Sequence, residues 1–385
     1  MELIQMFLKK TAAVLLAAMT ILGSTSGALS ASAISADANV KNPVCINSLS
    51  FRKLSNRKIR IYWSGVKDDR VKFYYVQRAE LGSSSWKTIG RIRSDGNRSN
   101  GKNYFTDLLK TQAHRRYAYR VKVKVADPEN YYPAVGKAYL ASNVKVCIDP
   151  GHFLKVNPGT YGYTEAEAVL LTGLQLRESL KRSGIDVYMT RTDENISVGD
   201  EYNQDNGDQL FARGYIAGAK KCDLFISLHS NANSDGANDC DTLDQPKYIN
   251  KVLVFVNKAA YKESSRATRK AANYIGRYVT LANKAHGIYC SGWYTSSKPQ
   301  VYTDDELFIE YNDSIKQKGK LIYRKWGSDD YYAVLRGAAY AGVPGMLVEH
   351  GYHTYPGYCS TFMDDSELAA DYAKAETDAM LKYLF

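Results

Sequence analysis

Two hydrophobic periods divide the chain. Between about Val40 and Leu140, apolar and polar residues alternate in short runs. In "RKIRIYWSG" (57–65) Ile59, Ile61 and Trp63 fall on one face; "VKFYYVQRA", "SSSWKTIGRIR", the turn-rich "SDGNRSNGKN", "YFTDLL" and "RRYAYRVKVKV" (115–125) follow. A period of two with no helical period between runs predicts half-buried strands, and strands at this spacing predict an all-β sandwich of about 100 residues over 40–142.

From Asn143 the pattern changes. "VKVCIDPGHFLK" (144–155) reads as a strand, with Val144, Val146 and Ile148 apolar and Pro150-Gly151 ending it. "EAEAVLLTGLQLRESLKRSG" (165–184) carries Val169, Leu170, Leu174, Leu176 and Leu180 at helical spacing, with Gly184 placed to terminate the helix. Strands "IDVYMTR", "DLFISLHSNAN" and "KVLVFVN" alternate with helices over 208–222 and "SSRATRKAANYIGRYV". A helix–strand run "YYAVLRGAAYAGVPGMLVEHGYHT" and a last amphipathic helix through "SELAADYAKAETDAMLKYLF" complete the order. Such alternation predicts an α/β domain over 144–385: a mostly parallel sheet covered by helices on both faces, preceded by the all-β sandwich.

Composition narrows the setting. Lys9 and Lys10 precede the apolar run "TAAVLLAAMTILG" (11–23), and Ala31-Ser32-Ala33 has the form of a cleavage site, so residues 1–33 read as a secretory signal peptide. The run is shorter than the roughly 20 residues needed to span a bilayer, and no transmembrane segment is expected beyond the signal. A secreted protein follows. The formal net charge is +11. On an exported chain it points to anionic cell-wall polymers and not to nucleic acid. Six cysteines, none in a CxxC pair, argue against a cysteine zinc knuckle. Export permits disulfides, but six cysteines allow 15 connectivities and no pairing is assigned.

Three strands of the second domain end in polar devices: Asp149-Pro150-Gly151-His152, His229 in "LFISLHSNAN", and Glu349 in "GMLVEHGY". Strand ends on one edge of an α/β sheet converge, so these residues can share a site. Glu165 opens the first helix nearby. Two histidines and a carboxylate with an open fourth position form a standard catalytic zinc set. Taken singly, each residue has a plainer explanation: a loop or satisfied histidine, or a helix N-terminal carboxylate favoured by the macrodipole. Glu349 stands out, because an acid within an apolar run is costly to bury unless paired or used.

These blocks resemble the zinc-dependent N-acetylmuramoyl-L-alanine amidases of the amidase-3 type. "IDPGH", "GIDVYMTR", "ARGYIAGAKKCDLFISLHSNA" and "VPGMLVEHGYHT" occur in that family's order across essentially all of 144–385. The resemblance implies a Zn2+ cofactor held by His152, Glu165 and His229, with Glu167 the alternate to Glu165, and Glu349 as the catalytic glutamate. It implies substrate contacts from Asn231 and His353, structural roles for Arg191 and Arg213, and an incidental His350. Phe153 stands where the family usually has a second glycine, Ala166 where a lysine is common, and Tyr352 and Tyr355 where Phe and Asn are common. The first domain resembles a fibronectin type III module, with Trp63 in the early-strand tryptophan position and Tyr117 or Tyr119 as the late-strand tyrosine.

The implied activity is hydrolysis of the amide between N-acetylmuramic acid and L-alanine of the peptidoglycan stem peptide. A zinc peptidase acting on another amide shares the metal set, and a non-catalytic wall-binding or adhesion protein would use the sandwich as its working part. The segment "YTDDELFIEYNDSIKQKG" (302–319) is a candidate lid or an ordinary surface helix.

Overall fold

The computed structural model describes residues 45–66, 71–94, 102–125, 135–153, 164–195, 209–231, 250–261, 265–290, 293–294, 325–326, 329–353, 355, 357–358 and 366–385. Residues 1–33, the segment 302–319, Cys240 and Cys359 lie outside them. Val44–Phe385 forms one compact unit.

Its first part contains β1 (Ser50–Ser55), β2 (Lys58–Ser64), β3 (Val71–Glu80), β4 (Lys87–Arg93), β5 (Lys102–Leu108), β6 (Arg116–Val125) and β7 (Tyr139–Ser142). They make two antiparallel sheets, β1-β2-β5 and β4-β3-β6-β7. The alternation read from the sequence does the packing: Ile59, Ile61, Trp63, Tyr74, Val76, Tyr119, Val121 and Val123 enclose one core. Trp63 meets Tyr74 edge-on at 5.7 Å, and Tyr119 donates its hydroxyl to Asp107 at 2.8 Å.

The second part follows after only two residues. It contains β8 (Lys145–Pro150), α1 (Glu165–Arg182), β9 (Asp186–Met189), α2 (Leu210–Ala219), β10 (Leu224–Asn231), β11 (Val252–Val256), α3 (Arg266–Ala285) and β12 (Trp293–Tyr294). The short ladder β13 (Lys325–Trp326) and β14 (Asp329–Asp330), then α4 (Ala333–Tyr340), β15 (Gly345–Tyr352) and α5 (Ser366–Tyr383), complete it. The main sheet runs β12-β11-β15-β10-β8-β9. It is mixed and not mostly parallel as expected, because β11 pairs antiparallel with β15. A period of two specifies which side chains face each layer but carries no strand direction, so the reversal was invisible in the alternation.

Both faces of this sheet are buried, and the parity of each strand assigns its residues. Val146, Ile148, Leu224, Ile226, Leu228, Val254, Met346 and Val348 pack with apolar residues of α1, α3 and α5. Cys147, Phe225, Leu253, Phe255 and Leu347 pack on the opposite side with residues of α2 and α4. The odd-numbered residues on β8, β10 and β15 therefore share one face. Asp149, Ser227, His229 and Glu349 are all odd.

The joint between the two parts is polar and specific. Asn143 accepts from Arg115 N (2.6 Å) and donates to the carbonyls of Asn56 (2.6 Å) and Ala113 (2.9 Å). Lys53 Nζ, on β1, donates to both carboxylate oxygens of Asp223 (2.6 and 2.5 Å) and to Lys221 O (3.2 Å). A Cβ on Gly184 would lie 2.6 Å from the backbone carbon of Leu140, so the end of the first helix approaches β7 as closely as a glycine allows.

Candidate metal centre

Register brings the strand-end residues together. Ser227 pairs with Asp149 across β10 and β8, and His229 pairs with Glu349 across β10 and β15. His152 follows Gly151 in a left-handed conformation (φ 53°), uncommon outside glycine though histidine adopts it more readily than most. Its Nε2 lies 3.3 Å from Glu165 Oε2. His229 Nδ1 lies 3.2 Å from Glu165 Oε1, which also accepts from Ser230 N at 2.9 Å. One donor atom each from His152, Glu165 and His229 thus lies within 4.8 Å of the others. Glu165, not Glu167, faces the histidines, because it is the first residue of α1 and two positions further turn a side chain about 200° around the helix.

Glycine at 151 is required by close approach. A Cβ there would sit 2.3 Å from Cε1 of His229 and 2.6 Å from both ring nitrogens, so this imidazole lies directly against the backbone of the turn.

Beneath the histidines is a buried polar network that the sequence reading did not identify. Asp149 is fully buried and accepts from Thr190 Oγ1 (2.6 Å), Arg213 Nε (2.7 Å) and Ser227 Oγ (2.7 Å). Burial opposes its ionisation, but Arg213 and these hydrogen bonds outweigh burial and hold its carboxyl below the usual range. Arg213 also donates to Pro150 O and His152 O, and Arg191 donates to Pro150 O (2.9 Å) and Gly151 O (2.8 Å). The two arginines fix the backbone on which His152 is mounted.

The network also sets the tautomer of His229. Its Nε2 is 3.1 Å from Ser227 Oγ, whose proton is committed to the anionic Asp149. His229 must then donate from Nε2, which leaves the Nδ1 lone pair facing Glu165. Burial keeps this imidazole neutral by lowering its pKa. Glu165 is ionised: burial opposes the charge, and the neighbouring His152 and His229 outweigh it, so its pKa falls well below the ordinary value. Two acceptors at 3.2 Å require a proton or a cation between them.

A tetrahedral zinc fits that requirement. Its bonds of about 2.0–2.1 Å to nitrogen and oxygen separate neighbouring ligands by about 3.3 Å. His152 Nε2 lies 3.3 Å from Oε2 of Glu165 and His229 Nδ1 lies 3.2 Å from Oε1, so each carboxylate oxygen faces one histidine at that spacing.

Glu349 is buried (6 % exposed), and its Oε2 has no hydrogen-bond partner among the described residues. Burial and the charge of Glu165 push its pKa well above the ordinary carboxylate value. His353 comes close as well: its Nδ1 lies 3.0 Å from Ser230 Oγ and 3.9 Å from Glu165 Oε2, and burial lowers its pKa. Asn231 contributes its backbone carbonyl, which accepts from His353 N at 2.8 Å, and so braces the loop that carries His353. His350, expected to be incidental, is fully buried between His229 O (3.0 Å) and Glu376 Oε1 (3.1 Å) and ties β15 to β10 and α5. Even parity sends it to the face opposite Glu349. The same rule, applied to Ser227 two places before His229, would have found the serine.

Residues 146–382 match the family model described as N-acetylmuramoyl-L-alanine amidase, and the chain belongs to that family. Membership places the chain among the amide hydrolases of peptidoglycan. Among solved structures the chain is similar to N-acetylmuramoyl-L-alanine amidase AmiC2 of Nostoc punctiforme, with 21% identity over 63% of this chain and 98% of that one and a TM-score of 0.42. It is similar to the CwlD amidase from Clostridioides difficile, solved in complex with the GerS lipoprotein, with 19% identity, the same coverages and a TM-score of 0.40. Over 26% of its length it is also similar to the sixth fibronectin type III domain of a human protein, covering 85% of that domain at 12% identity and a TM-score of 0.19. A comparison with curated proteins found no match.

Proposed function

We propose that the chain is a zinc-dependent hydrolase that cleaves the amide between N-acetylmuramic acid and L-alanine of the peptidoglycan stem peptide. The observation that carries the reading is the pair of acceptors, His229 Nδ1 and Glu165 Oε1, facing each other at 3.2 Å, with the buried Oε2 of the neighbouring Glu349 lacking a hydrogen-bond partner among the described residues. His152, Glu165 and His229 would hold the zinc. Bound there, zinc supplies Lewis acidity, acidifying water to a pKa of about 7 and polarising a carbonyl.

Everything else falls to side chains. Glu349 takes the proton of the attacking water and passes it to the departing amine of L-alanine. Burial and the charge of Glu165 raise its proton affinity. That rise is countered when zinc is bound, so the carboxylate can accept the proton first and donate it afterwards. Asp149 and Ser227 keep the His229 lone pair aimed at the site, and Arg191 and Arg213 keep the His152 turn rigid. His353, held near Glu165 by Ser230, faces the substrate side and contacts the muramyl–peptide junction, with Asn231 supporting its loop. The three strands packed on four support a fibronectin type III-like sandwich, here assigned to 40–142 ahead of a catalytic domain at 144–385. Residues 1–33 serve as a signal for export to the cell wall. Among the described residues no helix is long and apolar enough to cross a membrane.

The test uses the purified chain on peptidoglycan, stripped with a chelator and then reloaded with zinc. New L-alanine amino termini that vanish with the metal and return with it are the expected result. Tight wall binding by the zinc-loaded, folded protein without new termini would refute the activity.

A further inference from the structure

The outward face of sheet β4-β3-β6-β7 carries chemistry that the metal centre does not use. On β3, Val71, Tyr74 and Val76 are buried in the sandwich core, so Phe73, Tyr75 and Gln77 point away from it. Strand register then fixes three cross-strand rows: Arg93–Phe73–Lys124, Arg91–Tyr75–Lys122 and Thr88–Gln77–Arg120. Successive rows are about 7 Å apart and neighbouring strands about 4.8 Å. An aromatic column on β3 therefore runs between a basic column on β4 and another on β6. The three rows hold five cations and no carboxylate.

Ring contacts hold the array together. The Arg91 guanidinium lies 4.6 Å from the Phe73 ring centre, Phe73 and Tyr75 are 6.4 Å apart, and Arg120 lies 4.1 Å above Trp86. Arg120 Nε is further fixed by Gln77 Oε1 at 2.8 Å. Arg91, Arg93 and Lys124 are exposed; Phe73, Tyr75, Trp86, Arg120 and Lys122 are half-buried. A face kept only for solubility mixes charge signs. Five like charges on neighbouring strands repel one another, and a polyanion relieves that repulsion.

We propose that this face binds a linear phosphodiester polymer of the cell envelope, its phosphates on the two basic columns and its carbon backbone over Phe73 and Tyr75. Arginine forks suit phosphate, and stacking on a ring reduces the rotamer freedom lost on binding. The net charge of +11 draws the whole chain toward such a polymer. The inference goes beyond the amidase reading and does not depend on the metal.

The probe is poly(glycerol phosphate) of defined length, titrated into the full chain with chelator present, at low and moderate salt. The expected result is binding that weakens steeply with salt, as release of counterions requires. R91Q/R93Q/K122Q/K124Q lowers the affinity by at least about tenfold and flattens the salt dependence. Y75S weakens binding and leaves the salt dependence unchanged. No binding by the parent chain, equal binding by the quadruple variant, equal affinity for a neutral glycan, or preference for single-stranded DNA of equal charge would each overturn the proposal. Because no amide is cleaved in this assay, its outcome is independent of the amidase test.

Discussion

Asp223→Asn puts the joint between sandwich and α/β part to a quantitative test. Asp223 sits just ahead of β10 and accepts three hydrogen bonds: two from Lys53 Nζ at 2.6 and 2.5 Å and one from Lys145 N at 2.7 Å. The side chains of Lys53 and Asp223 are 3% and 10% exposed, so the pair is shielded from water. Removing the charge leaves a buried ammonium facing an amide and the Lys221 carbonyl. One-sided loss of a buried pair costs about 3–5 kcal/mol; the amide oxygen still accepts, so about 3 kcal/mol is expected. The pH dependence has a definite sign. Burial opposes ionisation of Asp223, yet the His114 ring, 3.8 Å away, the charge and hydrogen bonds of Lys53 and the Lys145 amide prevail and hold its carboxyl below the ordinary value. A depressed folded-state pKa contributes stability above the unfolded pKa of about 3.9 and loses it as pH falls through the folded value. Urea unfolding followed by tryptophan fluorescence at pH 7 should therefore show one transition, shifted by about 3 kcal/mol in the variant, with the two proteins converging in strong acid. K53M/D223L should cost less than D223N, since neither charge is then stranded. A shift below about 1 kcal/mol at pH 7, or one that persists undiminished in acid, would refute this account of the joint.

Three further outcomes follow from the site and its surroundings. Glu349→Gln should reduce release of L-alanine termini by about 10²- to 10⁴-fold, the usual contribution of a general acid–base, while metal analysis finds zinc content unchanged. Ser227→Ala removes the acceptor that fixes the His229 tautomer, so zinc affinity measured by chelator competition should fall about 10- to 100-fold, with Ser227→Thr recovering most of it. Asp330→Asn should stabilise the protein at pH 7.5 and have no effect near pH 3. Burial raises this carboxyl from 3.8 to about 6, so its ionisation destabilises the fold progressively as pH rises through that window, by at most about 3 kcal/mol. Thermal unfolding of both proteins across that range decides it.

Much of the catalytic part was legible because two-sided burial enforces parity. Val146, Ile148, Leu224 and Ile226 fixed one layer by their alternation, and His229 and Glu349 necessarily emerged on the other. Glu165 was readable as a helix-opening acid, though its preference over Glu167 rested only on the family's register counted back from Gly184. What stayed hidden depends on contacts distant in sequence. β1, "SFRKLS", carries no apolar run; its Lys53 is buried because Asp223, 170 residues away, neutralises it. The union of Asp149 with Arg213 and Thr190 likewise joins three elements whose neighbourhood no local pattern encodes. β7, "YLAS", is too short for a period, and β11 reads identically in either direction.

Only Asn143 and Val144 separate β7 from β8, and Asn143 spends its side chain gripping Arg115, Asn56 and Ala113. The mount has no swivel. A leashed module would let a hydrolase graze freely around its anchorage, whereas this one is aimed: wherever the sandwich is seated, the site at His152 and His229 reaches one bearing and one distance. Successive cuts then depend on moving the whole body along the wall, and splicing a few glycines into the joint would trade that fixed aim for reach.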